Sequence, residues 1–235
     1  MKGWPGEPEM EYDKVMSEGK ASDAEGQSVT DVLFDFGNVL VKWDPQPVMT
    51  PRYSQELVDA FLDNDISGFY DASDAMDAGG TEAEVIADVR ARYGEPWVSM
   101  LEYYFANFED SLVGPIPGAR VLVNDLKAAG IGVWGLSNWA VELFGPAKKQ
   151  YPILSSLDDS VVSGYVKLRK PHTDIFEYAV ERFGVDRRHC LFVDDKAMNV
   201  VGANQAGIRA LRFSDAVKLR ETLVGMGVPI PAVQH

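Results

Sequence analysis

Val32-Leu33-Phe34-Asp35-Phe36-Gly37-Asn38-Val39-Leu40 is a short apolar run that ends in one carboxylate, followed by a glycine, an amide and two more apolar residues. The apolar run predicts a buried strand, and Gly37 with Asn38 predicts the turn that closes it. Asp35 is therefore expected at the carboxyl end of a strand, where open α/β sheets build their sites. An aspartate is unfavourable to bury there unless something pairs with it. Candidate partners recur along the chain near the ends of other apolar runs: the hydroxyl of Ser137, the ammonium of Lys170 and the carboxylates of Asp194 and Asp195.

Outward from that stretch, helix and strand alternate on the carboxyl side. Residues 119–129 read as a helix ended by Gly130, 131–136 as a strand ended by Ser137-Asn138, and 141–149 as a short helix. Residues 161–167 read as an extended segment or small hairpin. A helix over 174–183 ends at Gly184, and the strand Leu191-Phe192-Val193 ends at Asp194-Asp195. A helix over 197–206, a strand over 208–211 and a final helix over 215–223 follow. This repetition predicts an α/β fold with a doubly wound parallel sheet.

Between the two parts of that pattern the periodicity changes. Leu57, Val58, Phe61 and Leu62 fall at helical spacing, as do Val85, Ile86 and Val89, and then Met100, Leu101, Tyr104, Phe105 and Phe108. Thr81 with Glu84 reads as a capping box. The block predicts an all-helical insert of roughly four helices. Val41 to Pro47 reads as its exit loop, because of the prolines, and Gly114 to Gly118 as its return hinge. The expected organisation is a lead-in over residues 1–28, an α/β core over 29–47 and 114–235, and a helical cap over 48–113. The lead-in is acidic and rich in Gly, Pro and Ser, and reads as flexible, with Met10, Tyr12 and Val15 as a possible short docking helix.

The chain has 235 residues, 46% of them hydrophobic, enough for one large domain or a domain carrying a smaller inserted one. A formal net charge of −14 argues against broad nucleic-acid binding and against docking on anionic lipid. The lone cysteine, Cys190, rules out an internal disulfide and reads as a small core residue. Cysteine usage and the absence of an apolar leader or spanning run lead to the expectation of a cytoplasmic protein without a membrane partner. A monomer or homodimer is expected.

Parallel strands bring their carboxyl ends to one edge, so Asp35, Ser137 and the Asp194-Asp195 pair should converge there, with Lys170 reaching in from its loop. A carboxylate nucleophile, a hydroxyl, an ammonium and two metal-type carboxylates suit displacement at phosphorus. Asp35 would attack to give an aspartyl-phosphate, with Mg²⁺ on the oxygen ligands. Lys170 and Ser137 would hold the oxygens on which charge collects. Singly, each residue has a plainer reading: a turn aspartate, a helix-capping Ser-Asn pair, a surface lysine, two acids at a helix start.

The order and spacing resemble the haloacid dehalogenase superfamily of phosphatases and dehalogenases, over about residues 29–225. Asp35 matches the nucleophile of the first motif, Ser137-Asn138 the second motif, Lys170-Pro171 the third and Asp194-Asp195 the fourth. Each motif is short, and the four in order, with a helical insert after the first, carry the resemblance. It implies that Asp35, Asp195 and the Gly37 carbonyl contact Mg²⁺ and that Asp194 reaches it through water. It also implies that Ser137, Asn138 and Lys170 bind a small phosphorylated metabolite.

Most phosphatases of that superfamily carry a second aspartate two residues after the nucleophile as general acid and base; here that position is Gly37. Asp-Phe-Gly-Asn-Val resembles a phosphatase branch that includes bacterial glucose-1-phosphate phosphatases, which implies a sugar phosphate. Asp44 and His172 are the candidates for a substitute proton donor. Asn199 reads either as a metal-shell residue or as a solvent-facing one, and Trp43 and Trp139 as pocket wall or core. A 2-haloacid dehalogenase is the second reading; it would need a cationic clamp, for which Arg52, Arg90 and Arg92 are available. The third is a non-catalytic module that binds a phosphorylated ligand.

Overall fold

The structure, a computed structural model, describes residues 28–233. Apart from Ser28, the lead-in with its Met10, Tyr12 and Val15 lies outside the described residues. Strands β1 (Asp31–Phe34), β4 (Gly132–Ser137), β5 (Asp159–Val162), β6 (Cys190–Asp194) and β7 (Arg209–Arg212) form a five-stranded parallel sheet in the order β5-β4-β1-β6-β7. β1 is central, paired on both edges by β4 and β6, and helices cover both of its faces, so its interior reads as an unbroken apolar run rather than an alternating one. Val32 and Phe34 pack on one face with Val133, Leu191 and Val193, and Leu33 packs on the other with Cys190 and Phe192. Cys190 is a buried free cysteine in that second layer, as its apolar context predicts.

Helices cover both faces. α10 (Thr173–Phe183) and α11 (Ala197–Gln205) contribute Ile175, Phe176, Ala179, Val200 and Ala203 to the Leu33 side. α7 (Ala119–Ala128), α8 (Val141–Gln150) and α12 (Ala216–Gly225) contribute Leu122, Leu126, Phe144 and Leu219 to the Val32 side. The doubly wound parallel sheet expected from the sequence is the observed fold.

Between β2 (Val41–Trp43) and β3 (Leu112–Pro115), the regular structure is helical. The main helices are α2 (Gln55–Phe61), α4 (Phe69–Asp77), α5 (Glu82–Arg92) and α6 (Trp97–Ala106). Single turns α1 (Gln46–Met49) and α3 (Asn64–Ser67) lie among them. The Thr81 side chain accepts from the Glu84 N–H and the Glu84 carboxylate accepts from the Thr81 N–H, the capping box read from the sequence. Phe36, Val39 and Leu40 bury together with Tyr104, Phe105 and Phe108 in one continuous apolar cluster.

Two local readings are corrected. Val41 to Trp43 and Leu112 to Pro115 are not plain connections but an antiparallel ribbon, pairing Val41 with Pro115 and Lys42 with Gly114. The ribbon is too short for a period-two signal, and its partners are far apart in the chain. Residues after Val162 turn into a helical segment, α9 (Ser163–Val166), instead of continuing a hairpin. The Ser163 hydroxyl is drawn away from a ladder by the Trp139 N–H, which it accepts at 3.0 Å, and by the Asp77 carbonyl, to which it donates. Among the described residues no helix is long and apolar enough to cross a membrane.

Candidate active site

The parallel register pairs Phe34 with Gly135 on one side and with Val193 on the other, so the residues that follow, Asp35, Leu136 and Asp194, stand side by side at the carboxyl edge. The Asp35 N–H continues the ladder to the Val193 carbonyl at 2.9 Å. Lys170 arrives from the loop before α10. Asn138 locks that loop in place: its Nδ2 donates to the Lys170 carbonyl at 3.0 Å, and its Oδ1 accepts from the Lys170 N–H at 2.9 Å.

Lys170 is 3% exposed, and its ammonium lies 2.8 Å from Asp35 Oδ1, 2.7 Å from Asp194 Oδ2 and 2.9 Å from the Leu136 carbonyl. These contacts engage all three of its donors. Burial works against the ammonium, but Asp194 and Asp35 outweigh it and hold its pKa above the ordinary lysine value. Asp194 is saturated. Its Oδ1 accepts from the Lys196 N–H at 2.8 Å and the Asn199 amide at 3.0 Å, and its Oδ2 accepts from Lys170 and again from Asn199 at 3.0 Å. Asn199 is therefore neither solvent-facing nor aimed outward; it braces Asp194.

Asp195 is held differently. Its Oδ2 meets the Asn38 amide at 3.4 Å, and Asn38, with φ of 55°, is itself fixed by accepting the Trp43 N–H at 3.1 Å. Burial, with the charges of Asp35 and Asp194, pushes the Asp195 carboxyl up to about 7. Burial likewise raises Asp35, against the pull of Lys170. One oxygen from each of Asp35, Asp194 and Asp195 falls within 4.8 Å of the others. An all-oxygen cluster with more negative charge than its lysines neutralise fits a hard divalent cation such as Mg²⁺.

A cavity of about 120 Å³ opens on these groups, lined on the sheet side by Asp35, Gly37, Ser137, Asn138, Lys170 and Asp195. Ser137, buried, completes the predicted set. The opposite wall comes from α4 and α6. Tyr70, Ser73, Asp74 and Asp77 follow i, i+3, i+4, i+7 spacing and so present one face of α4 to the cavity. Trp43, Phe108, Trp139 and Leu143 add apolar surface, and the Trp43 indole N–H donates to the Tyr104 hydroxyl at 2.9 Å. The buried Trp139 indole N–H has no acceptor among the described residues.

Asp77, missed in the sequence, accepts the Ala140 N–H, and burial with nearby Asp74 and Asp35 pushes its carboxyl up to about 7. A polar stripe at helical spacing is the one signal that pointed to it, and that signal reads equally as a solvent face. The two sequence candidates for a proton donor stand outside the cavity lining, Asp44 behind the wall residue Tyr70, on which its charge acts. Asp44 accepts the Gln46 N–H at 3.0 Å, a turn role, and His172 is an exposed N-cap residue of α10; neither lines the cavity. The candidate arginines are also outside it: Arg52 stacks on Tyr103, Arg90 pairs with Glu102, and Arg92 pairs with Asp88.

Comparison with known proteins adds a family. The model of the haloacid dehalogenase-like hydrolases matches residues 32–207. A sesquiterpene phosphatase, AstK of Aspergillus oryzae, is 22% identical over 79% of this chain and 90% of its own length. (S)-2-haloacid dehalogenase 4A of Burkholderia cepacia is 31% identical over 42% of each chain, so this chain spans under half of that relative. A solved HAD family enzyme of Bacteroides thetaiotaomicron, in complex with magnesium and inorganic phosphate, superposes with a TM-score of 0.61 at 21% identity, covering 80% of this chain and 96% of that one.

Proposed function

The chain belongs to the haloacid dehalogenase-like hydrolases, and from that premise we propose that it is a Mg²⁺-dependent phosphatase of small phosphomonoesters, with sugar phosphates as the substrate class. The observation that carries this reading is the buried Asp35–Lys170–Asp194 cluster with Asp195 beside it, underneutralised and open to the cavity. Asp35, Asp195 and the Gly37 carbonyl would hold the ion, with Asp194 behind them because its own oxygens are taken. Bound there, magnesium supplies positive charge that lets a phosphate dianion approach the Asp35 carboxylate.

Asp35 attacks phosphorus and the ester oxygen departs, leaving an aspartyl-phosphate that water then hydrolyses. Ser137 and Asn138 offer hydrogen bonds to the phosphoryl oxygens. Lys170 acts mainly by holding Asp35 ionised and oriented, since its donors are committed to Asp35, Asp194 and Leu136. Residues 48–113 form the cap over an α/β core of 29–47 and 114–235, and the cap excludes bulk water between steps. Support for a sugar comes from the mixture of groups on the walls: Ser73 and Asp74 beside the rings of Trp43 and Tyr70, and the unsatisfied Trp139 N–H, which a substrate oxygen would satisfy.

The dehalogenase reading has its support in Gly37 and in the matched dehalogenase. It lacks a guanidinium among the cavity-lining residues to clamp a substrate carboxylate. Phosphate release from p-nitrophenyl phosphate and a sugar phosphate panel tests the proposal. Turnover with Mg²⁺ that is absent with chelator and absent in Asp35→Asn is expected. Chloride release from 2-chloropropionate without metal, or no phosphate release across the panel, overturns it.

A further inference from the structure

The phosphatase reading leaves one chemical role unfilled. An alcohol leaves as an alkoxide unless a proton reaches it, and the water that opens an aspartyl-phosphate must lose one. Asp35 is the nucleophile, Asp194 is saturated, Asp195 belongs to the ion, and no histidine among the described residues lines the cavity. Tyr70 and Tyr104 have pKa values raised above the ordinary phenol, mainly by burial, so neither offers a base near neutral pH.

Resting on that reading, we infer that Asp77, carried on the insert helix α4, transfers the protons of both steps in place of a residue at Gly37. Asp77 lines the same cavity as Asp35 from the opposite wall. Its place is fixed against the sheet edge by two tethers. Its carboxylate accepts the Ala140 N–H, and its carbonyl accepts the Ser163 hydroxyl, which is itself anchored by the Trp139 N–H. The groups that face it are Asp74 on its own helix, Asp35 and Lys196 from the sheet edge, and Tyr104 from α6. Burial also raises Asp74, one turn earlier, against the pull of Lys196 and Arg169, and Asp35 is not among the groups that shift it. A carboxyl that titrates near 7 can give a proton and take one back within a turnover.

An Asp35 oxygen forms a bond to phosphorus as the bond from phosphorus to the ester oxygen breaks, and the Asp77 carboxyl gives its proton to that oxygen, releasing the alcohol. The Asp77 carboxylate then removes a proton from water as the water oxygen bonds to phosphorus. The bond between phosphorus and Asp35 breaks, freeing inorganic phosphate and restoring protonated Asp77.

The open space at Gly37 supplies the test. A Cβ built there meets nothing within 4 Å, so a second carboxyl can be placed beside Asp35. With p-nitrophenyl phosphate and Mg²⁺, the leaving phenolate needs no proton but the second step still needs a base. Asp77→Asn keeps an acceptor for Ala140 and should show a burst of p-nitrophenolate equal to the enzyme, phosphoenzyme that accumulates on acid quench, and steady turnover lower by about 10²-fold or more. Gly37→Asp in that background should restore turnover and abolish the accumulation. Wild-type turnover in Asp77→Asn, a loss with no accumulated phosphoenzyme and no rescue, or the same burst in Asp74→Asn instead overturns the assignment while leaving an active wild type as a phosphatase. A wild type that neither releases phosphate nor forms phosphoenzyme overturns the phosphatase reading and this assignment together. Should Asp77→Asn fail to fold, a series of aryl phosphates on wild type decides. A shallow dependence of kcat/KM on leaving-group pKa at pH 6 that steepens at pH 9 supports Asp77, and one slope at both overturns it.

Discussion

Gly202 of α11 meets the carbonyl of Pro171 so closely that a Cβ at position 202 would lie 2.0 Å from that oxygen. Pro171 follows Lys170, so the helix and the loop that carries the ammonium are fitted backbone to backbone. Gly202→Ala should push the loop outward and draw Lys170 away from Asp35 and Asp194. The expected result is a loss of about 1–3 kcal/mol of stability together with a fall in kcat, read by thermal unfolding and steady-state kinetics. A variant with unchanged melting temperature and turnover would show that the fit is unimportant.

Lys170 stands between two buried carboxylates. Lys170→Met removes the charge and keeps most of the volume, leaving Asp35 and Asp194 facing each other uncompensated. Breaking a buried pair in this way costs about 3–5 kcal/mol, and without divalent cation the melting temperature should drop by about 6 °C or more. Differential scanning calorimetry checks it, and an unshifted midpoint would mean the carboxylates find other partners.

The raised carboxyls also set how stability follows pH. Asp77 and Asp195 titrate at about 7 in the folded chain, mainly through burial, whereas an unfolded carboxylate titrates near about 4. Between those values the folded state binds more protons than the unfolded one, so metal-free stability falls as pH rises through the window. Each pKa unit of elevation corresponds to up to about 5 °C. The melting temperature should therefore be higher at pH 5.5 than at pH 8, and Mg²⁺ should raise it at pH 8 far more than at pH 5.5. A metal-free protein that is more stable at pH 8 contradicts the electrostatic account.

Asn138 supports the same loop through paired bonds to the Lys170 backbone. Asn138→Ala leaves a peptide N–H and a carbonyl without partners and should destabilise by about 1–3 kcal/mol. The larger effect is expected on kcat rather than on KM, because the ammonium that orients Asp35 loses its anchor. A rise in KM alone would assign Asn138 to substrate contact only.

The residues of the site differ in how plainly the sequence announces them. Asp35, Ser137, Asp194 and Asp195 each close a buried strand, where the apolar run is legible and the parallel sheet dictates convergence. Lys170 is legible only through its company, since its partners lie 34 and 24 residues away at Leu136 and Asp194. The ribbon of Val41–Trp43 with Leu112–Pro115 is a tertiary pairing with no local period. Asp77 is hidden for a related reason. Tyr70, Ser73, Asp74 and Asp77 form a polar helix face, and only packing of α4 across the sheet edge turns that face from water toward Asp35. Asp44 follows the first motif and His172 the third, but the loops leave both outside the cavity lining: Asp44 acts on the wall residue Tyr70 only through its charge, and His172 caps α10.

In the proposed reaction Asp35 carries the phosphoryl group. Acid quench of the enzyme within a single turnover of p-nitrophenyl phosphate and Mg²⁺, followed by peptide mapping by mass spectrometry, locates that group. One phosphoryl group is expected on Asp35, lost at alkaline pH and absent from Asp35→Asn. A phosphoryl group on any other residue, or turnover with Asp35 unmodified throughout, contradicts it.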